Sequence, residues 1–466
     1  MTLSAKLAPT GANDSVTVCN PYDGAVVGHV AVTSRAGIGA AVARAAVAAE
    51  AFRFSTPHER RTLLNAIADR MAGEAERLAQ TVSAEMGKTI TEARNEIRRA
   101  QNTLRLSGDA ATFLDGEVMH CGIVEGGVDR QAVVTLVPTG VVGAITPFNY
   151  PVNLLCHKLG PALAAGNAIV VKPSPKAPLA AQMLVELCHQ AGAPRDLIQI
   201  VHGGAGVAIA LAEAPIDLLS FTGGAAAGLA LKRASGLVRC LMELGGNDPL
   251  FVMPDADLPA AARTAVGQRY EIAGQSCAAV KKLYVHEAIA EEFTEILLAH
   301  VDAVVVGDPA DPATVMGPVI DADAAAEVEA RIAAACQAGA TLLRGGRRGA
   351  TGFDPVVVAD VDPASLLMRE ETFGPVLSMR RFADLGAAVD EVNAAGFGLQ
   401  AGVFTNDHRA IRDLTRRLRV GGVMINEGPD FRAEHVPFGG VRKSGLGREG
   451  VRIATREMSE TKVVID

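Results

Sequence analysis

The sequence has few features of a secreted, membrane-bound or nucleic-acid-binding protein. Its seven cysteines are scattered, odd in number and never arranged as Cys-x-x-Cys, which argues against a disulfide framework or zinc site and favours a reducing compartment. No run of about 18 uninterrupted apolar residues occurs, and the N-terminal MTLSAKLAPTGANDSV lacks the apolar segment of a secretory signal. With a net charge of −8 and no long basic run, nucleic-acid binding is not expected. We therefore expect a cytoplasmic protein without metal, membrane or nucleic-acid partners.

The chain has the composition and length of a globular protein with two or three domains. Of its 466 residues, 49% are hydrophobic, and 48 glycines and 23 prolines supply turns. Apolar strands alternate with helices over residues 140–243, and a second such pattern follows Gly245-Gly246 to about residue 430. This alternation predicts an α/β fold with a doubly wound parallel sheet and a second α/β domain.

The predicted domain boundaries follow these changes in pattern. We expect one domain from residues 1–116 and 138–243, a second from 244–440, and an arm from 117–137 and 452–466. The arm is predicted because the segment 117–137 resembles a β-hairpin that leaves a helical region. The terminal ETKVVID is typical of a strand that could pair with it.

Three predicted strand ends are polar or glycine-rich: VVKPSP, SFTGG and MELGG. In a doubly wound fold, ligands bind beyond the carboxyl ends of the strands. Lys172 could meet a ribose hydroxyl or a phosphate there, and Gly223-Gly224 before a helix could hold a pyrophosphate. Each turn could equally be structural, since neither GxGxxG nor a Walker A motif is present. Three turns on one sheet favour a cofactor site.

Three further residues could carry chemistry. Cys277, in AGQSCAAV, could be core filler, the usual role of a free cysteine, or a nucleophile with room for a substrate. Glu243 could cap a turn or act as a base with a raised pKa. Asn149 could bond to its own turn or donate to an oxyanion. A thiol, a base, an amide donor and a dinucleotide cradle together suit the oxidation of an aldehyde through a thioester.

Along nearly its whole length the sequence resembles the aldehyde dehydrogenase superfamily. The resemblance rests on ITPFNYP, GPALAAGNAIVVKPS, FTGG, MELGGNDPLFV, AGQSC, VGDPADPATVMGPVI, REETFGPV and PFGGVRKSGLGREG, in this order. It implies a Rossmann-like dinucleotide-binding domain (1–116 and 138–243), a catalytic domain (244–440), an oligomerisation arm, NAD or NADP as cofactor, and a homodimer or homotetramer.

The resemblance also implies roles for individual residues. Cys277 would attack the aldehyde, Asn149 and the Cys277 N–H would hold the oxyanion, and Glu243 would activate water. Lys172 is grouped with these catalytic residues, although the resemblance implies that it would contact the adenosine ribose. Glu371 would contact the nicotinamide ribose. The residues expected around the cofactor are Thr146, Pro147, Phe148, Lys172, Ser174, Pro175, Gly204, Phe221, Thr222, Gly223, Gly224, Leu244, Glu371 and Phe373.

The sequence departs from the family pattern at positions that bear on the cofactor. Phe148 replaces a common tryptophan, and Gly224 replaces the serine of TGS, which backbone binding tolerates. NAD-preferring members often carry a glutamate where this chain has Pro175. Without a carboxylate to repel a 2′-phosphate, we expect NADP to be accepted.

The residues that would contact the substrate are polar. On the helix after Asn149, Asn153 and His157 share one face at i, i+4, although His157 could be a buried core imidazole. Arg432 lies in the loop expected at the tunnel mouth, and Arg98, Arg99 or Arg105 could approach; each arginine could instead be surface-solvated. Ser276 replaces an arginine of several semialdehyde enzymes, which weakens a succinate-semialdehyde assignment.

We therefore expect a small polar or anionic aldehyde, resembling lactaldehyde or glyceraldehyde, as the substrate. Succinate semialdehyde and phosphono- or sulfo-aldehydes are alternatives. A CoA-acylating enzyme, which often lacks a glutamate at position 243, and a catalytically idle binding protein are the rival classes.

Overall fold

The structure, a computed structural model, describes residues 15–466. The N-terminal segment on which the secretory-signal prediction rests lies almost wholly outside these residues. Within residues 15–466, no helix is both long and apolar enough to cross a membrane.

The chain begins with an antiparallel strand pair and four helices. These elements are β1 (Ser15–Cys19), β2 (Val26–Ala31), α1 (Arg35–Phe52), α2 (Pro57–Gly73), α3 (Ala75–Met86) and α4 (Ile90–Ala110). Both α2 and α4 start at a capping box: Thr56 pairs with Glu59, and Thr89 with Glu92. The reciprocal bonds satisfy N–H groups that a helix start leaves free. A hairpin of β3 (Glu117–His120) and β4 (Gln131–Pro138) follows, where the sequence predicts the arm.

The elements of the first large sheet are β5 (Val141–Ile145), α5 (Asn153–Ala165), β6 (Ala168–Lys172), α6 (Leu179–Gln190), β7 (Ile198–Ile200), α7 (Ala205–Ala212), β8 (Leu218–Thr222), α8 (Ala225–Ala234), β9 (Arg239–Glu243) and a late strand β17 (Gly445–Leu446). The strands lie in the order β17-β9-β8-β5-β6-β7. Strands β5 to β9 are parallel and almost wholly buried, which explains their continuous apolar sequences. The strand order reverses between β5 and β8, which is where such sheets bind ligands.

The elements of the second large sheet are β10 (Pro249–Val252), α9 (Leu258–Tyr270), β11 (Lys282–His286), α10 (Ala290–Asp302), α11 (Ala322–Gln337), β12 (Thr341–Arg348), β13 (Gly352–Ala359), α12 (Leu366–Arg369), β14 (Val376–Phe382), α13 (Leu385–Ala394), β15 (Gln400–Phe404), α14 (His408–Arg417) and β16 (Gly422–Ile425). The strands lie in the order β12-β13-β14-β11-β10-β15-β16. Strands β12 and β13 pair antiparallel to each other, and the other neighbouring strands of this sheet are parallel. The predicted α/β class, with a doubly wound sheet and a second α/β unit, is confirmed.

The chain then returns to the first sheet. Strand β17 lies antiparallel to β9 and places Gly445 opposite Glu243. Helix α15 (Val451–Glu457) packs on α4 and α5. Strand β18 (Ser459–Ile465) pairs with β4 over its whole length, so the predicted pairing of the terminal strand with the arm is confirmed.

Candidate active site

A cleft of about 690 Å³ lies at the carboxyl edge of the first sheet. It is lined by residues that end or follow β5, β6, β8 and β9, and by Cys277, Glu371 and Phe373 from the second sheet's side. Every predicted cofactor residue except Gly204 lines it; Gly204 caps α7, and its neighbour Ala205 lines the cleft instead. All four members of the predicted catalytic set, Cys277, Glu243, Asn149 and Lys172, line it too.

One end of the cleft carries a buried cation. Lys172 ends β6 with 4% of its surface exposed, and burial lowers its pKa to about 8. His202 lies beside it, because the Val201 N–H donates to the Val171 carbonyl at 2.8 Å. Burial, reinforced by the Lys172 charge, lowers the pKa of His202 to about 4. Ser174 and Pro175 line the same end, which has no carboxylate among these residues.

The glycine turn after β8 is shaped by a close approach. A Cβ on Gly223 would lie 2.5 Å from the Phe221 ring, so this position requires glycine. The Gly223 N–H already donates to the Glu243 carbonyl at 3.0 Å, which joins the turn to the end of β9. Gly224 forms the N-cap of α8 without a side-chain bond, leaving helix N–H groups open to an anion.

Cys277 follows a strained turn that leads from α9 towards β11. Ile272 and Ala273 have φ of 44° and 52° and Gly274 has φ of 71°, a left-handed run that non-glycine residues rarely adopt. The Lys281 ammonium donates to the carbonyls of Ser276 and Cys277 at 2.7 and 2.5 Å, which fixes the backbone around the thiol. Burial raises the pKa of Cys277, and Lys281 only partly opposes this rise. The resting group is therefore a thiol, which needs a base before it can attack.

Asn149 and Glu243 line the same cleft as this thiol and come from the side of the first sheet. The Asn149 amide donates to the Gln275 carbonyl at 2.8 Å, two residues before the cysteine, and its Oδ1 has no hydrogen-bond partner within residues 15–466. Glu243 is 4% exposed, and its Oε2 likewise has no partner in this part of the chain. Burial, and then the charge of Glu449, raise the pKa of Glu243, while Arg432, Lys158 and Arg448 oppose the rise. Its raised pKa makes Glu243 a stronger base than an exposed carboxylate, as the abstraction of a proton requires.

Glu371 and two aromatic rings close the cleft near Cys277. The Glu371 carboxylate accepts from the Gly246 N–H at 3.2 Å and lies 3.4 Å from the Lys281 ammonium. The Phe148 and Phe373 rings meet edge to face with centroids 5.9 Å apart. These side chains form an apolar surface beside the Glu371 carboxylate.

None of the predicted substrate residues lines the cleft; they lie in a polar region beside it. His157 is 1% exposed and hydrogen-bonds to Glu434 at 2.6 Å, and burial lowers its pKa. Asn153 accepts from the Thr103 hydroxyl at 2.9 Å. Both side chains thus have protein partners, as the core interpretation of His157 requires. The Ser276 hydroxyl donates to Asp430 at 3.2 Å.

The candidate arginines separate into two groups. Arg432 donates to Glu449 at 2.9 Å and stacks 4.2 Å above the Phe438 ring. Arg99 donates to Glu434 at 2.7 Å, so it shares that carboxylate with His157. Two others point elsewhere: exposed Arg98 bonds to Asn95, and Arg105 to Asp69 on the surface. Only Arg99 and Arg432 therefore lie close to His157.

A sequence model of the Aldehyde dehydrogenase family matches residues 8–464 of the chain. The chain belongs to the aldehyde dehydrogenase family. It is therefore an NAD(P)-dependent aldehyde dehydrogenase, which confirms the predicted enzyme class, its reaction and the predicted cofactor. The apolar cleft, with Lys172 at one end and Glu371 at the other, suits a dinucleotide.

This aldehyde dehydrogenase has curated relatives and solved structures that span nearly all of it. It is 37% identical to the sulfoacetaldehyde dehydrogenase of Neptuniibacter caesariensis, over 97% of this chain and 100% of that protein. It is 39% identical to aspartate-semialdehyde dehydrogenase 1 of Pseudomonas canavaninivorans, over 99% and 98%. The crystal structure of NADP-dependent glyceraldehyde-3-phosphate dehydrogenase from Bacillus halodurans, complexed with NADP, matches with a TM-score of 0.95 at 35% identity, covering 97% of this chain and 96% of that one.

Sequence reasoning missed the apolar wall of the cleft. This wall comes from the first turns of helices α7 and α8 and from Leu154, and comprises Leu154, Ala205, Ala208, Ile209, Ala226, Ala227, Ala230 and Leu231. Its signal was present in the sequence: the residues of α8 that line the cleft recur at i, i+4, as one helical face does. Because small apolar residues at this spacing also mark ordinary core helices, the pattern alone could not assign them to the cofactor.

Proposed function

We propose that this enzyme oxidises a small polar or anionic aldehyde to its acid, with Cys277, Glu243 and Asn149 as the catalytic residues. The observation that carries the proposal is the convergence of all three on one cleft. The Cys277 sulfur bonds to the carbonyl carbon while Glu243 takes the thiol proton. Asn149 and the Cys277 N–H donate to the resulting oxyanion.

The remaining steps return the enzyme to its starting state. NAD(P), held by the cleft residues, would supply the hydride acceptor, and loss of hydride from the carbon leaves Cys277 carrying a thioester. Glu243 releases the thiol proton to solvent and then takes a proton from water as the water oxygen bonds to the acyl carbon. The carbon–sulfur bond breaks, the acid departs, and Glu243 returns its proton to the thiolate. Lys172 and Glu371 hold the two riboses in this proposal, and residues Thr146 to Phe148, Ser174, Pro175 and Phe221 to Gly224 surround the cofactor.

Replacing the nucleophile tests the assignment directly. We expect Cys277→Ala to abolish aldehyde oxidation and the acyl-enzyme mass, while cofactor binding, measured by fluorescence, stays within about twofold. Cys240→Ala, a buried cysteine of β9 outside the cleft, is the matched control. An active Cys277→Ala enzyme would remove the proposed mechanism. An unchanged acid product in the presence of added CoA would separate hydrolysis from acyl transfer to CoA.

The preference for a small polar or anionic aldehyde is supported by the side chains next to Cys277. Ser276, Asp430, Tyr150 and Arg99 form a polar group outside the cofactor cleft: Ser276 bonds to Asp430, Tyr150 to Glu271, and the Arg99 charge acts on Asp430. The relatives described above are named for sulfoacetaldehyde, an anion, and for aspartate semialdehyde, a polar zwitterion that carries a carboxylate.

A substrate panel tests this preference. It comprises lactaldehyde, glyceraldehyde, succinate semialdehyde, phosphonoacetaldehyde, sulfoacetaldehyde and benzaldehyde. We expect the highest kcat/KM for one of the polar or anionic members, because their polar groups can pair with the side chains beside Cys277. The highest kcat/KM on benzaldehyde would refute the proposal.

The arm supports a further proposal, that the enzyme is a homodimer or homotetramer in the cytoplasm. Its strands expose Val118, Met119, Val463, Val464 and Ile465, each more than half exposed. Contiguous apolar surface of this kind is typical of an interface between subunits. Light scattering after size exclusion measures the mass, and a monomer at micromolar concentration would contradict the proposal. The proposed domains keep the bounds given above: the dinucleotide-binding domain comprises residues 1–116 and 138–243, and the catalytic domain comprises residues 244–440. The proposed arm comprises residues 117–137 and 452–466.

A further inference from the structure

Three glutamates in one short segment are withdrawn from solvent without any part in the cleft. The segment 85–96, EMGKTITEARNE, runs from the end of α3 into α4. Glu85 is fully buried and Glu96 is 1% exposed, while Glu92 is half-buried. A carboxylate removed from water needs hydrogen-bond donors to replace those it loses. Each of the three finds its donors in a different loop.

Glu85 holds the loop at the adenosine end of the cleft. Its two oxygens accept from the Leu179 and Ala180 N–H groups at 2.7 and 3.1 Å, at the start of α6. The preceding loop carries Ser174 and Pro175, which line the cleft. The carboxylate therefore fixes the point at which this loop ends.

Glu96 holds the loop that follows Asn149. One of its oxygens accepts from the Val152 and Asn153 N–H groups at 2.9 and 3.0 Å, at the start of α5. Its other oxygen accepts from the Lys88 ammonium at 2.5 Å. That ammonium lies 3.7 Å above the ring of Tyr150, so the same ion pair contacts the residue next to Asn149.

Glu92 holds the turn that precedes Cys277. One of its oxygens accepts from the Ile272 N–H at 2.8 Å, and the other closes the capping box of α4 with the Thr89 N–H at 3.0 Å. Ile272 opens the left-handed run before the cysteine, a conformation that persists only where its surroundings hold it. Glu92 supplies one such contact.

We propose that Glu85, Glu92 and Glu96 are positioning residues that set the cofactor loop, the Cys277 turn and the Asn149 loop at fixed distances from one another. Because all three project from one continuous segment, a change in one carboxylate displaces its own loop and leaves the other two in place. The inference rests on the proposed roles of Cys277 and Asn149. A merely stabilising role would lower stability without a selective effect, whereas a positioning role requires that each glutamate variant change a different functional readout.

Single alanine variants test the three signatures. For Glu92→Ala we expect alkylation of Cys277 by iodoacetamide, followed by mass spectrometry, to change at least fivefold, with NADPH affinity within twofold. For Glu96→Ala we expect kcat/KM for aldehyde to fall at least tenfold, since misplacement of about 1 Å costs up to a hundredfold, with alkylation within twofold. For Glu85→Ala we expect the Kd for NADPH to rise at least fivefold, with alkylation within twofold.

Conservative variants and a surface control complete the design. Glutamine keeps one acceptor oxygen at each position but sets an amide N–H against the second donor, so we expect the glutamine variants to recover only part of each loss. Glu76→Ala, an exposed residue of α3 paired with Arg94, should leave all three readouts within twofold. Where an alanine variant does not fold, the corresponding aspartate variant is measured instead. Aspartate shortens the side chain by one methylene, so we expect a smaller loss in the same loop-specific readout.

Two results would overturn the inference: equal losses in all three readouts for every variant, or a lower melting temperature without any loop-specific loss. Failure of the proposed function is distinguished by Cys277→Ala, which would then remain active whatever the glutamate variants do.

Discussion

Arg99 offers the sharpest test of what the enzyme recognises, because its neighbour provides a matched control. Both Arg98 and Arg99 lie on α4, but Arg98 is exposed and bonds to Asn95, whereas Arg99 reaches Glu434 at 2.7 Å with 27% of its side chain exposed. We expect Arg99→Met to reduce kcat/KM for anionic aldehydes selectively. Arg98→Met should change neither class of substrate by more than about twofold.

The size of the effect follows from the bonds that Arg99 already makes. A hydrogen bond to a charged group contributes about 1.5–3 kcal/mol. The Arg99 Nε already donates to Glu434, and the side chain is partly solvated. We therefore take the lower end of this energy range, about 1.5 kcal/mol, which corresponds to roughly a tenfold change in kcat/KM. Glu434 keeps its bond to His157 at 2.6 Å in the variant, so we expect it to remain in place.

The assay compares kcat/KM for sulfoacetaldehyde with that for uncharged lactaldehyde in both variants. The expected outcome is a roughly tenfold fall in their ratio for Arg99→Met, with lactaldehyde changed by less than about threefold. Equal losses on both substrates, or an equal fall in Arg98→Met, would show that Arg99 does not recognise the anion.

Three other predictions concern the base and the cofactor. Glu243→Gln should slow both the first-turnover burst of reduced cofactor and steady turnover at least about a hundredfold, because the base that takes first the thiol proton and then the water proton is lost; turnover within threefold of the unmodified enzyme would contradict this role. Arg432→Leu should move the acidic limb of kcat to higher pH, because burial raises the pKa of Glu243, Arg432 opposes that rise, and the base works only when deprotonated; the same shift in exposed Arg416→Leu would point to a general charge effect. Pro175→Glu should lower kcat/KM for NADP at least tenfold and leave NAD within twofold, because the new carboxylate repels a 2′-phosphate; equal changes for both cofactors would refute this argument.

The sequence was informative wherever one strand ended in polar or glycine residues. Lys172, Thr222 and Glu243 end three parallel strands of one sheet, and the carboxyl ends of such strands must meet at one edge. The alternation of apolar strands and helices predicted that sheet correctly. Strands β1, β2 and β12 went unpredicted, because most of their residues are exposed or half-buried and form no long apolar run. The more apolar strands β13 and β15 were missed as well.

Contacts between side chains that are distant in the chain could not be predicted from the sequence. Arg432 reaches Glu449 and Arg99 reaches Glu434 only because the chain returns from the second sheet to the first after β16. Glu92 offers the same lesson. At the start of a helix it reads as an ordinary capping residue, and its bond to Ile272, 180 positions away, depends on tertiary packing.

The bond from Asn149 to the Gln275 carbonyl has a consequence for selectivity among oxygen atoms. This bond uses one of the two N–H groups of the amide, so the side chain is held in place while its second N–H remains available to a substrate oxygen. An alkoxide is a far better acceptor than a neutral aldehyde oxygen, because hydrogen bonds to charged groups are roughly twice as strong as neutral ones. The second N–H therefore contributes most after the sulfur has added to the carbon. Asn149 is in this sense a donor fixed in advance, whose bond strengthens with the charge that the reaction itself creates.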